Sequence, residues 1–251
     1  MRTVVLIATC LLCAPALAAD SNKHCFTGYG YQLESNEFRY TEQHEQTLDD
    51  DGRPVDWKVT YRDPAGEVIA RKTLDFSHNE FVPVYEMRMV DSGYVEGIER
   101  DEDGWRMFRR EGENAERETE TFELTDNLAA DSGFHPFLQS RFDTLMDGDT
   151  RRFRFAAAGR QSVIDLRATR IEDTEFEGET AVRFEAELDM WLVSFFVDSL
   201  VLTYDPDTRE LLEYRGIGNL HDAEGETYPV RVAYYSEPPP EAGDVDTACD
   251  G

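Results

Sequence analysis

Val55-Asp56-Trp57-Lys58-Val59-Thr60-Tyr61-Arg62 alternates apolar and polar side chains without a break. Successive side chains of a strand point to opposite faces of its sheet, so this stretch offers one face to a core and the other to water. The pattern recurs along the chain. Val182, Phe184, Ala186 and Leu188 alternate with Arg183, Glu185 and Glu187, and Tyr228, Val230, Val232 and Tyr234 repeat it near the end. Between such runs stand Asp51-Gly52, Asp63-Pro64-Ala65-Gly66, Asp91-Ser92-Gly93, Asp103-Gly104, Asp147-Gly148, Glu177-Gly178, Asp205-Pro206-Asp207 and Glu224-Gly225. These are turn chemistries, in which Gly and Asp accept the backbone angles a reversal needs. The expected fold is mainly β, a large curved antiparallel sheet of about eleven strands, since a sheet of that size curls into a half-barrel or barrel.

Two segments break the rhythm. From Phe134 to Met146 the apolar positions are Phe134, Phe137, Leu138, Phe142, Leu145 and Met146, the three-and-four spacing of an amphipathic helix. Ser132 or His135 suits its cap, Pro136 its first turn and Gly148 its end. One helix, over Pro136 to Met146, is therefore expected to cover the concave face of the sheet. The second segment, Met190 to Val197, has neither period and a single polar residue, Ser194. It reads as a strand buried on both faces, as a short buried helix, or as the lining or lid of an apolar cavity. Phe137, Phe142, Trp191, Phe195 and Phe196 are the candidate lining residues.

The first eighteen residues have the form of an export signal: Arg2, an apolar run from Val4 to Leu12, and a small-residue site at Ala16-Leu17-Ala18. Cleavage after Ala18 and release into the periplasm are expected. No Cys follows a small-residue cleavage site as a lipoprotein signal requires, and no later run is apolar enough to span a membrane. Residues 19–236 then form a single β-rich domain, since no linker-like composition interrupts 37–236, and 237–251 form an acidic, Pro-rich tail. Cys25 and Cys249 are the cysteines outside the signal. An oxidising compartment favours a bridge between them, and two unpaired thiols are the alternative.

Asp and Glu number 53 against 25 Lys and Arg, a net charge of −28. Such a surface repels polyanions and anionic membranes, which argues against nucleic-acid binding, and it suits high salt, which screens the self-repulsion. Catalytic and cofactor signatures are missing from the sequence: there is no Gly-x-Ser-x-Gly, His-Glu-x-x-His, P-loop or Cys-x-x-Cys. The five His residues lack ligand spacing, and Asp49-Asp50-Asp51-Gly52 and Asp101-Glu102-Asp103-Gly104 read as acidic turns rather than calcium loops. No cofactor or metal is expected. Arg151, Arg152, Arg154 and Arg160 run against the acidic background. Arg152 and Arg154 share a strand face, where they either pair with acids across strands or form a fork for an anionic headgroup.

Long antiparallel strands, an export signal and a covering helix resemble the periplasmic lipoprotein-carrier group, the LolA, LolB and RseB kind of half-barrel. Leu202-Thr203-Tyr204-Asp205-Pro206-Asp207-Thr208-Arg209-Glu210-Leu211-Leu212-Glu213-Tyr214 is similar to the strand-turn-strand these proteins carry late in the chain. With Phe134-His135-Pro136-Phe137 and Gly218-Asn219-Leu220, it also resembles uncharacterised exported proteins of Gram-negative bacteria. The resemblance implies a concave apolar face that holds acyl chains. The expectation is a non-catalytic exported protein that binds or carries a hydrophobic, lipid-like ligand. The alternatives are a structural or interaction protein of the envelope with a filled core and, third, a hydrolase built on paired carboxylates.

Overall fold

A computed structural model of the chain describes residues 22–189 and 199–243. Its strands are β1 (Lys23–Gln32), β2 (Phe38–Leu48), β3 (Pro54–Arg62), β4 (Val68–Asp75), β5 (Val84–Met89), β6 (Val95–Asp101), β7 (Gly104–Arg110), β8 (Glu118–Phe122), β9 (Leu128–Ala129), β10 (Arg151–Ala157), β11 (Ser162–Phe176), β12 (Glu179–Leu188), β13 (Leu200–Tyr204), β14 (Leu211–His221) and β15 (Thr227–Ala233). All join one sheet in the order β8-β7-β6-β5-β4-β3-β2-β1-β15-β14-β13-β12-β11-β10-β9. The chain starts in the middle and steps outward to β8. It then crosses to the opposite edge and steps back inward to β15, which pairs with β1 through Gly30 and Val232.

The alternating segments and their turns form as the sequence indicates. The β11–β12 hairpin turns through Glu177 and Gly178, both at positive φ (50° and 86°), with Phe176 facing Glu179. A two-residue loop of that kind matches the right-handed twist of its strands.

Three expectations need correction. The described strands number fifteen rather than about eleven. Alternation is a poor guide to β8, which reads ETETF and exposes four of its five residues, and to β9, which is only two residues long. The sheet is also mixed, because β9 runs parallel to β10. Nor does it close into a barrel, since the β8 and β9 edges do not pair. The acidic side chains of β8 discourage pairing at that edge.

The third correction concerns the helix, which is two short ones, α1 (Phe134–Gln139) and α2 (Phe142–Met146). At the break the Ser140 hydroxyl donates to the Phe137 carbonyl at 2.7 Å, a side-chain bond that competes with the helical ladder. Arg141 leaves the helical region at φ −119°, ψ 12°. Its guanidinium lies 3.9 Å from the centre of the Phe137 ring. No side chain caps either helix: Gly133 stands at the N-cap of α1, and His135 lies within it. No described helix is long and apolar enough to cross a membrane.

The curl of the sheet brings its halves together. Ala130 N–H donates to the Phe81 carbonyl at 2.9 Å, and Arg109 Nη1 donates to the Gly159 carbonyl at 2.9 Å. Two apolar cores result. One fills the curl of the N-terminal half around Trp57, Tyr61, Tyr85, Met87 and Ile98. The other lies between the helices and the C-terminal half, around Phe137, Phe142, Phe153, Phe184 and Tyr204. Tyr214 packs against both.

On the outer face, residues beyond β15 fold back over the central strands. Tyr235 stacks on Phe176 at 5.6 Å and accepts a bond from Arg231 Nη1 at 3.0 Å. Tyr31 donates to Glu241 at 3.0 Å. This cover is why Tyr29 and Tyr31 are buried on the side of β1 turned away from the cores.

Candidate ligand-binding site

Register dictates which side chains enter the curl. Phe26 of β1 stands opposite His44 of β2, His44 opposite Val59 of β3, and Val59 opposite Lys72 of β4. Phe26, His44 and Lys72 of this rung line a cavity of about 570 Å³ that reaches the start of α1 on one side and Tyr29, Leu212 and Tyr235 of the outer face on the other. Its walls are apolar and aromatic, with Tyr40, Phe134, Phe155, Leu200, Leu202 and Val232 among them. Glycines make room for the rings. A Cβ at Gly30 would meet ring carbons of Tyr40 at 2.4–2.6 Å, and one at Gly28 would meet Tyr234 at 2.8 Å. Both aromatics therefore lie over strand backbone, which a larger residue on β1 would forbid.

Polar groups gather on the floor. Lys72 Nζ donates to both carboxylate oxygens of Asp131, at 2.9 and 2.8 Å, and the two side chains are only 1% and 4% exposed. Asp131 holds φ 44°, a left-handed conformation that Asp tolerates. Its Oδ1 accepts from the Ser132 backbone N–H at 2.6 Å and the Ser132 hydroxyl at 2.8 Å. Burial alone would push the Lys72 ammonium toward neutrality, but Asp131, Tyr61 and Glu42 outweigh it and hold the amine above its ordinary range. Lys72 therefore keeps its charge in the interior.

A second cluster lies on β2 and β3. Trp57 Nε1–H donates to His44 Nδ1 at 3.0 Å. An indole N–H can only donate, so Nδ1 must be the bare acceptor nitrogen. The proton then resides on Nε2, which donates to Glu42 Oε2 at 3.1 Å. Phe26 stacks on the imidazole at 4.4 Å and 8°. Both ring nitrogens are thus committed, and His44 is not available as a general base. Burial pushes the phenols of Tyr40, Tyr61, Tyr214 and Tyr234 above their ordinary range, so they remain neutral.

His135 lines the same cavity, stacked on Tyr204 with its Nδ1 3.3 Å from the phenol oxygen. Burial lowers its pKa from 6.5 to about 4. The unfolded chain therefore binds a proton that the folded one refuses. The stability contributed by neutral His135 is complete above pH 6.5 and is lost as pH falls toward 4. Urea titrations of wild type and His135→Phe should show a gap that changes in favour of the variant over this window. A gap that does not move with pH would place His135 in water.

Of the residues singled out in the sequence, Phe137 and Phe142 are buried in the second core and do not line the cavity, whose aromatic wall from this region is Phe134 and Phe155. Trp191, Phe195 and Phe196 lie outside the described residues, as does Cys249, the expected partner of Cys25. Cys25 itself lies near the start of β1, on the cavity's rim. Arg152 and Arg154 alternate with buried Phe153, so they face away from the cavity. Arg152 donates to Asp189 at 2.8 Å, and Arg154 stands opposite Asp165. Among the described residues no group of three or more His, Cys, Asp or Glu is placed to hold a metal ion.

Sequence reasoning passed over Glu42, His44 and Lys72. A signal was present, since Lys72 occupies the apolar phase of Ala70-x-Lys72-x-Leu74 and the two flanking residues are buried. A charge in phase with core positions marks an interior ion that must have a partner. The sequence matches no family model, and no curated protein or solved structure matches it.

Proposed function

We propose that the chain is an exported, non-catalytic binding protein that holds a hydrophobic, lipid-like ligand inside the curl of its sheet. The observation that carries this reading is the cavity of about 570 Å³, lined mainly by aromatic and aliphatic side chains together with polar ones such as Glu42, His44, Gln46, Lys72 and Asn219. That combination suits a small-molecule site, in which apolar walls supply affinity and a few polar groups set orientation. The signal-like form of residues 1–18 supports export to the periplasm, and the resemblance of the stretch from Leu202 to Tyr214 to the lipoprotein-carrier group supports an acyl ligand. The commitment of both His44 nitrogens favours binding over catalysis at this site.

Extraction of the purified protein with organic solvent should release an apolar compound in near-stoichiometric amount. The emptied protein should then bind the neutral dye N-phenyl-1-naphthylamine at one site. Leu200 lines the cavity from the start of β13 and is only half-buried. Leu200→Trp should fill the space and weaken the dye about tenfold, since 1.4 kcal/mol of lost contact is a factor of ten. An empty protein that binds no dye, or a variant that binds it unchanged, would overturn the proposal.

A further inference from the structure

Among the described residues no Lys or Arg forms an ion pair with Glu42, although Lys72 feels its charge. The Glu42 side chain is 8% exposed, and its hydrogen-bond donors are His44 Nε2 at 3.1 Å and the Tyr234 hydroxyl at 3.5 Å. The imidazole that touches it is neutral, because Trp57 occupies the other nitrogen. The buried ammonium nearest in kind, Lys72, spends two of its three N–H groups on Asp131. Among the floor residues the charges are therefore two carboxylates against one ammonium. A buried anion whose nearby ammonium is hydrogen-bonded to another carboxylate is poorly compensated in a low-dielectric interior. Around it stand Phe26, Tyr40, Trp57, Tyr61, Tyr214 and Tyr234, all lining the cavity. Aromatic faces attract cations through their quadrupoles, more strongly where water is excluded.

The geometry points to a ligand with a cationic headgroup, a primary or quaternary ammonium, attached to an apolar tail. This rests on the cavity reading above and adds the sign of the charge. The ammonium lies against Glu42 within the aromatic rings, and the tail runs along Leu200, Leu202 and Val232. Anionic lipids are excluded twice, by Glu42 locally and by the net charge of −28 at a distance.

The probes are decyltrimethylammonium, decanol and decanoate, which share a chain and differ in charge. Titration calorimetry is run on full-length protein at about 1 M NaCl, where the Debye length is about 3 Å and surface attraction is screened while a buried charge is not. The cation should bind at one site at least about tenfold more tightly than decanol, and decanoate more weakly than either. Glu42→Gln keeps an acceptor for His44 and removes one of 53 acids, so global attraction barely changes. It should abolish the preference for the cation while decanol still binds. Should that variant not fold, the salt-resistant preference of wild type among the three probes decides alone. Equal binding of cation and alcohol, tighter binding of decanoate, or a preference that survives Glu42→Gln would overturn this inference and leave the cavity reading in place. Binding of none of the three would overturn both.

Discussion

Lys72→Met is expected to destabilise the protein by about 3–5 kcal/mol, because it removes one partner of a buried ion pair and leaves the other as an isolated charge. Lys72 and Asp131 are the least exposed ion pair described, at 1% and 4%. Among the described residues the carboxylate left behind retains Ser132 alone as a donor, and its solvation in the interior is poor. Asp131→Asn should cost a comparable amount by stranding the ammonium, while Asn still accepts the left-handed backbone at φ 44°. The double variant Lys72→Met/Asp131→Asn should lose less than the two single losses combined, since neither charge then remains. Urea midpoints of the four proteins give the coupling energy directly. Single substitutions that each cost under about 1 kcal/mol would match a solvent-exposed pair and contradict the burial described here.

Phe142→Asp is expected to unfold most of the protein at room temperature. Phe142 is 2% exposed, with its ring 5.1 Å from Phe184 and 5.8 Å from Tyr204, both edge-on. Deleting a buried Phe side chain costs about 3–5 kcal/mol, and an unpaired carboxylate in the same space adds further cost. A total stability of about 5–15 kcal/mol leaves little after that loss. Near-UV circular dichroism should collapse, and ligand binding should disappear with it rather than selectively. Because Phe142 lies outside the cavity wall, Phe142→Leu should restore the fold and bind ligand as wild type does. A stable, folded Phe142→Asp would show that α2 does not pack on β12 and β13.

The strands and turns were legible because their signals are local. Val55 to Arg62 alternates in phase with the pleat, and Glu177-Gly178 carries the positive φ angles of a tight hairpin within two residues. The apolar stripe from Phe134 to Leu145 likewise identified a buried helical face. What failed locally was continuity, where Ser140 and Arg141 bond to neighbouring groups and divide the helix. Strand number failed where pairing is imposed from outside, as in β8, whose first four side chains, Glu118 to Thr121, are polar on both faces.

The sequence by itself determined a β-rich chain, its principal hairpins and an amphipathic segment that must lie against a sheet. Only the tertiary structure decided that β1 and β15 meet at the centre, that Glu42 and Tyr234, 192 positions apart, share a hydrogen bond, and that Lys72 reaches Asp131 across 59. Periodicity tells which face of a strand is buried. It does not tell which distant strand lies beside it, because that choice depends on how the whole sheet curls to bury its apolar face and pair its interior charges.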